Sequence, residues 1–149
     1  MGKTRARSKT PLRTPLRTQG VTLRTPGVTL DTGALIALEK GDRRMIALLQ
    51  QTLKMKRRFH VPAGVVGQVW RHGNRQVTLA RFLRSVEVEV EPLDEQLARA
   101  CGELCGASGT SDVIDASVVI SARAHGGVII SSDPDDLAQL DPRAQVERI

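Results

Sequence analysis

Three short runs, VTLD (28–31), FHVP (59–62) and VIIS (128–131), constrain this chain more than any other feature. VIIS reads as a fully apolar strand, which has no wet face and belongs inside a sheet covered on both sides. The segments between the runs have helical spacing. TGALIALEKGD follows VTLD up to Gly41, and RRMIALLQQTLKMK (43–56) places Ile46, Leu49 and Leu53 at i, i+3 and i+7 with basic residues crowding its end. AGVVGQVWR (63–71) and RQVTLARFLRSV (75–86) predict two further helices after FHVP. VEVEVEP alternates Val86, Val88 and Val90 with Glu87, Glu89 and Glu91, the pattern of a strand wetted on one face and placed at a sheet edge. DEQLARACGELCG (94–106) predicts a helix with Asp94 as N-cap and Gly106 and Gly109 at its end. TSDVIDASVVISA opens a helix that runs to His125, where Gly126 and Gly127 break it; PDDLAQL is a short helix with Pro134 first, and QVERI is a last strand. Strands separated by one or two helices predict an α/β fold, a mostly parallel sheet flanked by helices.

A chain of 149 residues has room for one ordinary domain. The net charge of +6 is unevenly placed, because residues 1–27 hold seven Lys or Arg and no acid, leaving 15 basic against 16 acidic side chains in the remainder, a net −1. Segment 1–27 repeats TPLR at 10–13 and 14–17 and holds three of the seven prolines, a composition that cannot bury enough apolar surface to fold alone. The expectation is a disordered basic tail followed by one folded domain, 28–149. The tail's charges suit nonspecific attraction to phosphate backbones, and a solubilising stretch without a specific partner fits the same composition. No apolar run approaches the roughly 18 residues that span a bilayer, and the basic start lacks the apolar core of a secretory signal. These features point to a cytoplasmic protein with no membrane partner.

The acids fall where the strands end. In a parallel sheet the carboxyl ends of the strands open onto one edge, the usual place for a ligand. Asp31 ends the first strand, Asp133 follows VIIS, and Asp112 and Asp115 lie at the mouth of the helix leading into it. Each of these acids also stands at a helix start, where a carboxylate caps backbone N–H groups: Ser111 or Asp112 with Asp115 at N3, and Ser132 or Asp133 with Asp136 at N3. Three carboxylates converging on one edge repel one another unless a cation neutralises them, and no Lys or Arg stands in these motifs. Oxygen ligands of this kind suit Mg²⁺ or Mn²⁺, which lower the pKa of an attacking water and stabilise charge on a phosphoryl group.

LDTGALIALEKGD near the start, VPAGVVGQVWR in the middle and SDVIDASVVISARAHGGVIISSDPDDL near the end resemble the PIN-domain ribonucleases, in particular the VapC-type toxins of bacterial toxin–antitoxin pairs. The resemblance covers Val28 to the C-terminus. It implies a PIN-like three-layer sandwich and a metal-dependent endoribonuclease acting as a toxin, with an RNA substrate, a cognate antitoxin and a homodimeric state. The family's acidic positions fall on Asp31, Asp115 and Asp133 as Mg²⁺ or Mn²⁺ ligands, with Asp112 and Asp136 as auxiliary ligands. Ser131, two residues before the last acid, matches the family's hydroxyl position and is suited to orient a water or a carboxylate. Where many relatives have glutamate in a segment like LAEVW, this chain has VGQVW with Gln68, an amide that offers a neutral oxygen but neither charge nor basicity. That departure keeps a second reading open, a catalytically weak or inactive PIN-fold module that binds RNA.

The other polar residues carry less. Cys101 and Cys105 share a helix face with Leu97 and Leu104 and read as small core residues. His60, His72 and His125 have no mutual spacing that suggests ligation, and Trp70 is expected to pack against the sheet. Arg71, Arg75, Arg81 and Arg84 suit either a solvated helix face or RNA phosphates.

Overall fold

The computed structural model describes residues 25–149. Of the basic segment expected as a tail, residues 1–24 lie outside the described residues. The runs that opened the sequence become β1 (Val28–Leu30), β2 (Phe59–Pro62) and β4 (Val128–Ser131), joined by β3 (Val88–Glu91) and β5 (Val146–Arg148). Seven helices connect them: α1 (Thr32–Glu39), α2 (Arg43–Lys54), α3 (Ala63–Val69), α4 (Val77–Leu83), α5 (Glu95–Ser108), α6 (Val113–His125) and α7 (Pro134–Leu140).

The strands form one five-stranded sheet in the order β3-β2-β1-β4-β5, and every neighbouring pair is parallel. The chain winds outward from β1 to β2 to β3 and then returns past β1 to β4 and β5, so right-handed crossovers carry the early and late helices to opposite faces. Accordingly α1 and α4 pack on the sheet from one side, whereas α6 packs on β1, β2 and β4 from the other and is itself covered by α5 and α7. The result is an α/β three-layer fold whose core includes Leu30, Leu35, Met45, Phe59, Val61, Val118, Val119 and Ile129, all fully buried. Among the described residues no helix is long and apolar enough to cross a membrane.

Several local expectations shift by a turn or less. Gly106 lies inside α5; only Gly109, with φ of 71°, closes it, because the chain leaves the helix through the left-handed region there. The helix expected at 75–86 is shorter, since a 3₁₀ turn occupies Gly73–Arg75 and α4 ends at Leu83. In α2 the buried stripe is Met45, Leu49 and Thr52, while Ile46 and Leu53 are 37% and 45% exposed. Thr52 can be buried because its hydroxyl donates to the Leu48 carbonyl at 2.8 Å. Trp70 ends α3, 40% exposed and beside Gly73, so it does not pack against the sheet as expected. Cys101 and Cys105 are buried, free thiols in the core.

Candidate active site

The direction of winding reverses between β1 and β4, and a crevice outside the carboxyl ends of such a strand pair is the favoured ligand position in open α/β sheets. Asp31 follows β1 directly and Asp133 lies two residues beyond β4. Two glycines let the surrounding helix starts approach. A Cβ on Gly33, in the first turn of α1, would stand 1.9 Å from Ser132 Oγ, and one on Gly64, in the first turn of α3, would stand 2.2 Å from Ile114 Cδ1 in α6. The starts of α1, α3, α6 and α7 therefore gather around one edge.

Capping and placement divide the acids. Asp31 caps α1 by accepting the Ala34 N–H at 2.8 Å, and Asp112 caps α6 by accepting the Asp115 N–H at 2.9 Å. Asp115 thus stands at N3 with its own carboxylate unspent. At the start of α7 the acid does not cap, contrary to one of the alternatives the sequence left open. The Asp133 N–H donates to Ser131 Oγ at 2.9 Å, and Asp133 makes no side-chain cap bond. Ser131, fully buried, also hydrogen-bonds the Asp31 carboxylate, so one hydroxyl ties the two strand ends together.

The carboxylates lie near enough to raise one another, although among the described residues no three of them bring ligand atoms within 4.8 Å of one another. Burial pushes the Asp31 carboxyl up, the hydrogen bonds from Ser131, Ala34 and Gly33 work against that rise, and the Asp133 charge adds to it. Asp115 is raised to about 6, first by burial and then by repulsion from Asp112, Asp136, Asp31 and Asp133. Among the described residues no ion pair engages any of these five acids. Oxygen-only donors that repel one another and lack a basic partner fit a hard divalent cation. Gln68 is exposed on α3, and its side-chain oxygen accepts the hydroxyl of Thr32, the residue after Asp31. The amide thus reaches the edge, but its oxygen is already engaged.

The sequence reading missed the one group of three whose potential ligand atoms all lie within 4.8 Å of one another among the described residues: His60, Glu91 and His125. Glu91 was expected on a solvent face. Instead it is half-buried, because the strand ends with Glu91 against the two imidazoles. No spacing in the sequence marked the group, because the register that sets His60 beside Glu89 is a property of the folded sheet.

The PIN-domain family matches residues 28–141. No curated protein sequence matches the chain. Among solved structures, VapBC2 from Rickettsia felis bound to a DNA fragment from its promoter is similar with a TM-score of 0.61 at 16% identity, over 82% of this chain and 98% of that one. A toxin–antitoxin complex from Klebsiella pneumoniae gives 0.60 at 17% identity, over 83% and 100%. VapC20 from Mycobacterium tuberculosis, described as a sarcin-ricin loop cleaving toxin, gives 0.56 at 19% identity, over 73% and 92%. At such identities the likeness concerns the fold, whereas the family match, which runs from β1 to the residue closing α7, shows that the chain belongs to the PIN-domain family.

Proposed function

We propose that this protein is a metal-dependent endoribonuclease, the toxin of a toxin–antitoxin pair acting in the cytoplasm, and that Asp31, Asp115 and Asp133 hold Mg²⁺ or Mn²⁺. The observation that carries the reading is the group of acids at the β1/β4 switch point, engaged by no ion pair among the described residues, where burial and then mutual repulsion raise Asp115 to about 6. Membership of the PIN-domain family and the likeness to proteins described as toxin–antitoxin complexes support it.

When bound, the cation supplies charge to stabilise a phosphoryl group and acidifies a water for attack on the phosphodiester. The chain's own residues prepare the place. Ser131 fixes the Asp31 carboxylate and the Asp133 backbone, and Asp112 secures the helix start that carries Asp115. Asp112 and Asp136 add negative field as auxiliary ligands. The folded domain is 28–149, a homodimer in this reading, with an antitoxin that covers the acidic edge. Purified protein should cleave RNA with Mg²⁺ or Mn²⁺, and Asp115→Asn should lower the rate at least a hundredfold on the scale of a lost metal-site charge. Undiminished cleavage by the variant would overturn the assignment.

Gln68 favours a second reading, a PIN-fold module that binds RNA without cutting it, because the amide contributes no charge where many relatives have glutamate. It expects RNA binding that is independent of metal and is lost when residues 1–27 are removed.

A further inference from the structure

We infer that His60, Glu91 and His125 form a second metal site, one for Zn²⁺ or a similar borderline cation, that clamps β2, β3 and the end of α6 together. His125 Nε2 lies 2.5 Å from Glu91 Oε1, His60 Nδ1 lies 3.4 Å from the same oxygen, and Glu89 Oε2 is 3.9 Å from His60 Nδ1. The two imidazoles stack with centroids 3.4 Å apart and planes 9° from parallel. His60 is only 5% exposed, and its Nδ1 has no hydrogen-bond partner among the described residues, although Glu91 Oε1 lies 3.4 Å away. A buried ring nitrogen beside a carboxylate, with no hydrogen bond among the described residues, is open to a cation.

The distances fit a tetrahedral ion. With zinc bonds of about 2.0–2.1 Å, two ligand atoms of a tetrahedral site stand roughly 3.3 Å apart. His60 Nδ1 and Glu91 Oε1 are already at 3.4 Å; binding opens the His125–Glu91 contact and turns the His125 ring out of its stack on His60, since an imidazole donates in its own plane, and His125 is half-buried at a helix end. Glu89 or water supplies the fourth position. Two imidazoles with a carboxylate select zinc-like ions over Mg²⁺, in contrast to the all-oxygen edge.

The surroundings are consistent with a structural site. A cleft of about 190 Å³ leads to it, lined by Thr25, Gly27, Arg58, Glu89, Ala124 and the two histidines. Among the described residues Arg58 is the one Lys or Arg lining the cleft, and its guanidinium donates to the Val86 carbonyl at 3.4 Å. The site is separate from the acidic edge. Asp115 and His125 stand at opposite ends of α6, ten residues or about 15 Å apart along the axis.

The test uses the full chain, stripped with chelator and dialysed against Zn²⁺ with excess Mg²⁺ to occupy the acidic edge. Wild-type protein and Asp115→Asn should each retain one zinc per chain and melt at higher temperature with Zn²⁺ than without. His125→Ala and the isosteric Glu91→Gln should each lose at least tenfold in zinc affinity together with the thermal shift, while circular dichroism confirms that they fold. Co²⁺ in place of Zn²⁺ should give the intense visible absorption of a tetrahedral site in wild type and Asp115→Asn but not in His125→Ala or Glu91→Gln. No zinc on the wild type, zinc retained by Glu91→Gln, or zinc lost from Asp115→Asn would each overturn the proposal.

Discussion

Asp115 is half-buried among four other acids, and that position turns one side chain into a measurable pH dependence. Its carboxyl is raised from 3.8 in the unfolded chain to about 6, so protonation favours the folded state. The stabilising contribution is fully present below pH 3.8 and is lost as the pH rises through about 6. Without metal at pH 7.5 the ionised group should cost on the order of 1 kcal/mol after solvent screening. Asp115→Asn should therefore be the more stable protein in chelator at pH 7.5, and the advantage should vanish near pH 4, as urea unfolding at the two pH values will show. Added Mg²⁺ should raise the wild type and leave the variant behind. Gln68 gives the complementary case: Gln68→Glu restores a charge, and should tighten Mn²⁺ binding on the order of tenfold by calorimetry. Unchanged affinity would mean that the side chain does not face the ion.

Among the elements, helix ends were legible where the cue is local chemistry. Asp94 accepts the Leu97 N–H at 2.8 Å and Asp112 accepts the Asp115 N–H, both as their spacing implied. Two glycines near the end of α5 looked equivalent in the sequence, yet only Gly109 has positive φ. Gly109→Ala should destabilise by about 1 kcal/mol, whereas Gly106→Ala, with nothing within 4 Å of the added methyl, should be neutral or stabilising. Thermal unfolding of the pair checks which glycine closes the helix. In β3 and α2 the apolar pattern misled for a reason of context. Val86 precedes a strand that starts at Val88, where the backbone turns as the Val88 N–H bonds the Ser85 carbonyl. Thr52 takes a buried place in α2 because it satisfies its own hydroxyl, a choice that hydrophobicity counts do not foresee.

For the whole molecule, the acidic edge depends on how closely α1 approaches the loop after β4. Gly33→Ala would set a methyl 1.9 Å from Ser132 Oγ and 2.8 Å from its Cβ, an overpacking that should cost about 1–3 kcal/mol and weaken metal binding at the edge. Adding Ser132→Gly should recover part of the loss, a coupling that a double-mutant cycle in urea will measure. By itself the sequence determined the order of strands and helices, the parallel sheet and the acids at the strand ends, because each is written in local periodicity and in the fixed handedness of crossovers. Only the tertiary structure decided the rest. The Ser131 bridge between Asp31 and Asp133 and the His60, Glu91 and His125 group join residues that share no spacing along the chain. What brings the histidine group together is the packing of the end of α6 against two neighbouring parallel strands, a long-range contact that no local pattern encodes.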